Sequence, residues 1–276
     1  MKMKSAKQTQ RVVLVTGAGR GIGLAIAEAF LVNGDTVCVV DIADKAELFG
    51  ADRLTKFGKK LSYLKIDLSK KGGPEKAIQR VVKMHGRIDV LVNNAKSGRR
   101  VSLLEETAAS WQNTMIVTLQ ATFFTAQEAI RHMRKLGSGC IVNIGSVSGF
   151  LATQESPSYH IAKGGVIQLT RYLAVAAGEY GVRVNAVLPG FIVQDEDLAR
   201  FKSRSNRRFR SMAEASHPIG KVGDVHDVAA SVMFLCSDSA KYISGECITL
   251  DGAATKQETF NSLYFFSKRK REVIKK

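Results

Sequence analysis

Short apolar runs alternate with helical patterns along most of the chain. The runs are continuous and rich in β-branched residues, as in strands that are buried on both faces of a parallel sheet. The pattern predicts strands over residues 12–16, 36–41, 61–67, 90–93, 140–144, 182–188 and 246–250, and helices over 22–33, 74–85, 108–133, 157–180 and 224–236. Strand–helix alternation predicts one α/β domain, a Rossmann-type, doubly wound parallel sheet with three α/β/α layers.

Net charge is concentrated in a few segments. The chain has 276 residues and a formal charge of +16, and residues 1–11, 200–210 and 268–276 carry +4, +6 and +5 of it. The rest is nearly neutral, so a nucleic-acid-binding surface spread over the fold is not expected. We assign 1–11 and 256–276 as basic extensions of a domain that covers 12–255. The C-terminal patch could touch nucleic acid or an anionic membrane surface, although a solvated tail is the favoured interpretation.

Composition narrows the class further. No apolar run approaches the ~18 residues of a membrane span, and the N-terminus lacks the apolar centre of a signal peptide, so we expect a cytoplasmic protein. The four cysteines are far apart in sequence, which favours reduced core thiols over disulfides or a metal site.

A glycine-rich loop joins the first predicted strand to the first helix. Its sequence, Thr16-Gly17-Ala18-Gly19-Arg20-Gly21-Ile22-Gly23, places glycines at 17, 21 and 23. Glycine lets the backbone approach a pyrophosphate, and the helix start offers free N–H groups and a positive dipole end. A plain turn is the alternative, but the strand–loop–helix context favours a dinucleotide site.

Asp41 ends the second predicted strand. A carboxylate there can accept hydrogen bonds from the adenine ribose and would repel a 2′-phosphate, so it favours NAD over NADP. Arg20 argues the other way, because a cation in the glycine loop could pair with that phosphate. We weight Asp41 more and predict NAD, with NADP as the alternative.

Tyr159 and Lys163 are four residues apart on one predicted helix, so they face the same side. We expect the ammonium to stabilise the phenolate and lower the pKa of Tyr159 from its usual value near ~10. The pair could then exchange a proton while hydride passes to or from a nicotinamide. Ser146 follows the strand 140–144, where its hydroxyl could bind a substrate carbonyl. A surface pair and a loop serine are the alternatives.

These motifs together resemble the short-chain dehydrogenase/reductase family, over about residues 12–252. The resemblance rests on the glycine loop, Asp67 after the third strand, Asn93-Asn94-Ala95, Ser146, Tyr159 with Lys163, Pro189-Gly190, and Ser244-Gly245 with Asp251-Gly252. It implies an enzyme that interconverts alcohols and ketones and assembles as a homotetramer or dimer. The cofactor-binding residues that it implies are Gly17, Gly19, Arg20, Gly21, Ile22, Gly23, Asp41, Asp67, Leu68, Asn94, Ala95, Tyr159, Lys163, Pro189, Gly190 and Ile192, with no metal.

The chain departs from the family pattern at four positions. Lys96 replaces a glycine, Thr118 stands where the catalytic asparagine is expected, Gln194 replaces a threonine, and Ala253 replaces a glycine. The resemblance places Thr118 with Ser146, Tyr159 and Lys163 in the catalytic set, where it would help hold the water that links the lysine to solvent.

The resemblance also identifies residues 194–217 as the substrate lid. This lid carries the +6 run, and Lys96, Arg99 and Arg100 would lie near the same mouth. An anionic small-molecule substrate is therefore one hypothesis, and a solvated basic surface is the other. The alternatives to an oxidoreductase are a cofactor-binding sensor or scaffold with weak or no turnover, supported by Thr118 and Lys96, and, ranked below it, a nucleic-acid-binding protein.

Overall fold

Seven strands form one parallel sheet in a computed structural model that describes residues 10–44 and 57–258. The strands are β1 (Val12–Thr16), β2 (Thr36–Asp41), β3 (Leu61–Lys65), β4 (Val90–Asn93), β5 (Gly139–Ile144), β6 (Val182–Pro189) and β9 (Cys247–Leu250). Their order is β3-β2-β1-β4-β5-β6-β9, with parallel pairing throughout. The predicted doubly wound fold is confirmed. Strand order reverses between β1 and β4, and such a reversal opens a ligand crevice at the carboxyl ends of the strands.

Helices cover both faces of this sheet. Outside residues 194–217, the described α-helices are α1 (Gly21–Val32), α2 (Gly73–His85), α3 (Ala108–Thr114), α4 (Ala121–Leu136), α5 (Pro157–Gly178) and α8 (Val225–Leu235). Side chains of β1 alternate between the two layers: Val13 and Val15 pack with α1 and α8, whereas Leu14 packs with α2, α4 and α5. Fully buried apolar side chains of this kind contribute about 1.5–3 kcal/mol each.

Local sequence explains where the site-bearing helix begins. Ser156 precedes α5, its hydroxyl oxygen accepts a hydrogen bond from the Tyr159 N–H at 3.3 Å, and Pro157 occupies the first turn. A cap and a first-turn proline are both typical helix starts. This cap fixes the first turn of the helix that carries Tyr159.

The helix predicted over 108–133 is not continuous. A π-helical turn, Met115–Gln120, separates α3 from α4. A single extra residue per turn leaves the apolar pattern nearly unchanged, so the sequence did not reveal it. The strand predicted over 61–67 also ends early, at Lys65, and the side chain of Asp67 instead binds Ser69.

The segment predicted as a lid is helical. Residues 194–217 contain α6 (Asp195–Lys202) and α7 (Arg207–Ala215). A short parallel pair, β7 (Ile192–Val193) with β8 (Gly223–Asp224), closes the base of this segment. The segment predicted as a lid therefore consists of two helices whose base is held by a short pair of strands.

The predicted extensions lie mostly outside the described residues, including all of 268–276. Arg11, the last residue of the N-terminal extension, is tied to the domain by an ion pair with Asp35 at 2.8 Å and a hydrogen bond to the Cys236 carbonyl at 2.6 Å. Within residues 10–44 and 57–258, no helix has the length and apolarity needed to cross a bilayer, and no cluster of metal-binding side chains occurs.

Candidate active site

The glycine loop presents bare backbone at the end of β1. Gly17 and Gly21 have φ angles of +61° and +55°, which side-chain-bearing residues rarely adopt. A Cβ at Gly17 would lie 2.7 Å from the Cα of Ala95, and one at Gly23 would lie 2.8 Å from the Cα of Ala18. No side chain caps the start of α1. A close-packed loop with an uncapped helix N-terminus fits the pyrophosphate of a dinucleotide.

The Asn-Asn-Ala segment after β4 holds this loop in place. The side-chain amide of Asn94 donates hydrogen bonds to the carbonyls of Thr16 (3.1 Å) and Gly17 (2.8 Å). The hydroxyl of Thr16 accepts the N–H groups of Asn94 (3.0 Å) and Ala95 (3.1 Å). The two strand ends that flank the crevice are thereby joined.

Asp41 lies beside the same loop, at the carboxyl end of β2. Its carboxylate accepts the N–H of Gly19 at 2.9 Å and that of Ile42 at 2.7 Å. Arg20 points elsewhere: its side chain is 83% exposed and pairs at 3.4 Å with Glu196 of the lid. A negative charge therefore stands at the predicted ribose position, and the loop cation is directed away from it.

The remaining predicted cofactor residues surround the crevice. Asp67 follows β3, and the hydrogen bonds that it accepts from Ser69 hold the pKa of its carboxyl below the usual value. Gly190 donates its N–H to the Leu250 carbonyl at 2.9 Å. Buried or partly buried positions are occupied by Ile22, Leu68, Pro189 and Ile192.

The structure brings Ser146, Tyr159 and Lys163 together beyond the end of β5. The hydroxyl of Ser146 lies close enough to that of Tyr159 to lower the pKa of the phenol, and it accepts the Ser148 N–H at 3.1 Å. The amine of Lys163 lies 5.6 Å from the centroid of the Tyr159 ring and donates to the Ile144 carbonyl at 2.5 Å. A hydroxyl pair beside a buried amine can bind and protonate a carbonyl oxygen.

The protonation balance of this group differs from the sequence-based expectation. Burial raises the pKa of Tyr159 to about 12, against the lowering effect of the Ser146 hydrogen bond. Burial also lowers the pKa of Lys163 to about 7, and the charge of Lys96 adds to that effect. The prediction that Lys163 makes the phenol acidic is wrong for the protein's own groups, because the buried amine is itself only partly charged near neutral pH.

Thr118 does not join the catalytic group through its side chain. It lies in the π-helical turn, is 1% exposed, and its hydroxyl accepts the Ser97 N–H at 3.2 Å. Its carbonyl accepts the Thr122 hydroxyl at 2.9 Å. The contact with Ser97 makes the Thr118 side chain a support for the segment after β4. The role of Thr118 in holding a water near Lys163 stays a prediction.

Sequence reasoning placed Lys96 only near the mouth of the site. The structure places its ammonium 5.6 Å from the centroid of the Tyr159 ring, the same distance as that of Lys163. The signal was present in the Asn-Asn-Ala-Lys motif, because the residue after Ala95 leaves the sheet at the crevice. Its contact with Tyr159 depends on the path of the loop and was missed.

The lid rests on the glycine loop through its first residues. The side-chain oxygen of Gln194 lies so close to Gly21 that a Cβ there would collide with it. Three rings pack together with centroid separations of 5.8–6.5 Å: Phe191, which precedes the lid, and Phe201 and Phe209 of its two helices. Within the described part of the chain, five cations of the +6 run make no ion pair: Lys202, Arg204, Arg207, Arg208 and Arg210.

A cleft of about 1090 Å³ opens along the N-terminal part of α5. Polar groups at its rim include Arg100 and Glu155, which are joined by a hydrogen bond of 3.1 Å, and His160, whose Nε2 accepts the Thr153 N–H at 2.9 Å. Apolar lining comes from Phe150 and Ile161. The cleft has the size of a small-molecule site.

Comparison with known proteins matches this arrangement to a family of enzymes. Residues 17–255 match the family described as enoyl-(acyl carrier protein) reductase. A 3-oxoacyl-[acyl-carrier-protein] reductase, FabG, from Chlamydia pneumoniae is 33% identical over 243 residues, which are 88% of this chain and 96% of the relative.

Two solved structures are similar to this chain over most of its length. ElxO with NADP bound is 30% identical, with a TM-score of 0.83, over 90% of this chain and all of that one. A gluconate 5-dehydrogenase from Burkholderia cenocepacia J2315, in complex with NADP and tartrate, is 29% identical, with a TM-score of 0.79, over 90% of this chain and 96% of that one. The family match over residues 17–255 includes the glycine loop, Ser146, Tyr159 and Lys163.

Proposed function

The chain belongs to the short-chain dehydrogenase/reductase family, and from that premise we propose that it is a nicotinamide-dependent oxidoreductase that interconverts an alcohol and a ketone. The observation that carries the proposal is the proximity of the Ser146 and Tyr159 hydroxyls beside the buried amine of Lys163. The nicotinamide cofactor supplies or accepts the hydride. The protein supplies the proton and the binding site for the substrate oxygen.

In the proposed reduction, the substrate's carbonyl oxygen accepts hydrogen bonds from Ser146 and Tyr159. As the carbonyl carbon gains hydride, the phenol proton moves to the oxygen and the product is an alcohol. A phenol whose pKa is raised to about 12 keeps its proton at neutral pH. In the reverse reaction the proton of the alcohol would pass to the phenolate of Tyr159.

We further propose NAD as the preferred cofactor. The carboxylate of Asp41 stands beside the glycine loop, where it would accept ribose hydroxyls and repel a 2′-phosphate. Arg20 is engaged with Glu196 and is directed away from Asp41. NADP is the alternative, since ElxO and the Burkholderia gluconate 5-dehydrogenase were both solved with it.

An anionic substrate is part of the proposal. Lys96 lies against Tyr159, and five cations of residues 200–210 make no ion pair within the described residues. The gluconate 5-dehydrogenase that resembles this chain holds tartrate, a dicarboxylate. Positive charge around a cleft raises the local concentration of anions.

We also propose a homo-oligomer and a cytoplasmic location. Along α5, the side chains of Ile161, Tyr172 and Val175 are 55%, 63% and 83% exposed. An apolar surface of this kind suits contact with a second copy of the chain. The four free cysteines suit a reducing compartment.

Fluorescence titration with NADH and NADPH, followed by a ketone screen in the better cofactor, tests the central proposal. We expect NADH to bind more tightly and at least one ketone to be reduced. A preference for NADPH would overturn the assignment of Asp41. Tight NADH binding without turnover of any alcohol or ketone would favour the second candidate, a cofactor-binding sensor, which the structural engagement of Thr118 supports.

A further inference from the structure

Lys96 approaches the reacting group from an anchored position. The N–H of the preceding residue, Ala95, donates to the Thr16 hydroxyl at 3.1 Å. The N–H of the following residue, Ser97, donates to the Thr118 hydroxyl at 3.2 Å. The backbone is thus fixed on both sides of the lysine, and its ammonium lies 5.6 Å from the centroid of the Tyr159 ring.

Positive charge at this point is not balanced by the described protein. Glu155 is the one described carboxylate that acts on the pKa of Tyr159, and the guanidinium of Arg100 already pairs with it. No carboxylate in residues 10–44 and 57–258 lies within ion-pair distance of Lys96. A second amine, that of Lys163, lies equally close to the ring. An anionic group on the substrate would supply the missing charge.

We propose that Lys96 binds a carboxylate on the carbon next to the reacting carbon, so that the substrate is a 2-oxo acid or the corresponding 2-hydroxy acid. This inference rests on the proposed oxidoreductase function and names its substrate class. It makes Lys96 a specificity-determining residue at a position where the family pattern has glycine, with no side chain to offer.

The dimensions of the site favour a carboxylate close to the reacting carbon. The reacting oxygen must lie within hydrogen-bond reach, about 3 Å, of the Tyr159 hydroxyl. A carboxylate on the adjacent carbon can then accept a charge-assisted hydrogen bond from an ammonium that lies 5.6 Å from the centre of the same phenol ring. A carboxylate several carbons further along the substrate would lie beyond the reach of this ammonium.

Thr118 acts on this residue indirectly. Its hydroxyl accepts the Ser97 N–H and donates to the Ser97 carbonyl at 3.4 Å. It is therefore a positioning residue for the lysine segment. Lys96 and Thr118, two of the four departures from the family pattern, are thus linked through Ser97.

The test compares Lys96→Met with Lys96→Arg on pyruvate and 2-oxobutyrate and on their neutral amides, pyruvamide and 2-oxobutyramide, with NADH. We expect kcat/KM for the acids to exceed that for the amides about 10- to 100-fold in the unaltered protein, as a hydrogen bond to a charged group implies. Lys96→Met should abolish this preference by slowing the acids alone, and Lys96→Arg should keep part of it. Lys135→Met, an exposed cation on α4, is the matched control and should change neither rate.

A binding measurement separates this inference from the proposed function. Oxalate cannot be reduced, and its binding to the NADH complex can be followed by NADH fluorescence. We expect Lys96→Met to weaken oxalate binding at least about 10-fold, with NADH affinity unchanged. Equal losses for acids and amides, or oxalate binding that ignores the substitution, would overturn the role of Lys96 even if ketone reduction stands. Oxalate binding that depends on Lys96 without any turnover would instead overturn the proposed oxidoreductase.

Discussion

The two sides of the crevice are built by different means. On the side that we assign to the cofactor, the shape of the backbone forms the site. Gly17 and Gly23 leave no room for a side chain, and Asn94 ties the loop to β4. On the side that we assign to the substrate, single side chains would set the chemistry, above all Tyr159 and Lys96, which lie 5.6 Å apart from ammonium to ring centroid. A site formed by the shape of the backbone can bind the same ligand in many proteins. A site formed by side chains can change its substrate with a single substitution. We therefore expect substitutions on the two sides to affect different measurements.

The largest effect is expected at Tyr159. Tyr159→Phe removes the proton donor but keeps the ring, so turnover should fall about 10²- to 10⁴-fold while NADH affinity stays within twofold, in line with the usual contribution of a general acid. Tyr242→Phe, at a fully exposed position outside this helix, is the control and should be neutral. If turnover and NADH affinity fell together, Tyr159 would not act on the substrate side alone.

The converse substitution is Gly23→Ala. Its Cβ would lie 2.5 Å from the side-chain nitrogen of Asn94, so the glycine loop must shift. NADH should then bind about a hundredfold more weakly, as expected for a loss of about 3 kcal/mol. Gly178→Ala, where a Cβ meets nothing within 4 Å, is the matched control. Unchanged NADH affinity in the first variant would show that the loop does not receive the cofactor.

The buried amine of Lys163 should make the free energy of unfolding depend on pH. Its pKa is lowered to about 7 from 10.5, so between these values the unfolded chain binds more protons than the folded one. The free energy of unfolding therefore rises with pH between about 7 and 10.5. Below this window the group is charged in both states, and its burial destabilises the fold by the full amount. Relative to Lys163→Met, the free energy of unfolding should rise by a few kcal/mol between about pH 6 and about pH 10. Urea denaturation at both pH values measures it, and parallel curves for the two proteins would refute the buried amine.

Asp41 tests the selectivity of the backbone-built side. Asp41→Asn keeps the shape but removes the negative charge, so NADPH should gain about tenfold in affinity relative to NADH, comparable to the cost of placing a carboxylate near a phosphate. Fluorescence titration gives both constants. An unchanged ratio of the two would mean that another residue sets the preference.

The smallest effect is expected at Ala253, beside the lid. Its φ of +67° is left-handed, a conformation that costs a residue with a side chain about 1–2 kcal/mol. Ala253→Gly should relieve the strain and raise the free energy of unfolding by about 1 kcal/mol, with Ala254→Gly as the neighbouring control. Thermal or urea denaturation will show it, and a loss of stability would contradict the strained geometry.

The sequence predicted the backbone-built side more fully than the other. Glycine spacing, strand ends and the acid at Asp41 are local signals, and the structure brings them together as expected. The π-helical turn at Met115–Gln120 was not predicted, because one extra residue hardly changes the apolar pattern. Its consequence, the engagement of Thr118 by Ser97, could not be foreseen from the motif alone.

The electrostatics of the substrate side also escaped prediction. Helical spacing correctly placed Lys163 next to Tyr159, but the direction of the phenol's pKa depends on how deeply both groups are buried. The position of Lys96 over the ring depends on a loop between two anchors far apart in sequence. Burial and loop path are properties of the assembled fold, and neither is written in the spacing of residues.

A crystal structure of the chain with NADH and a bound, unreactive ketone analogue tests the central claim most directly. The account predicts that the hydroxyls of Tyr159 and Ser146 both lie within about 3 Å of the analogue's oxygen, with its carbonyl carbon facing the nicotinamide ring. A Tyr159 hydroxyl turned away from that oxygen, or an analogue bound away from the ring, would contradict the proposed role of this residue.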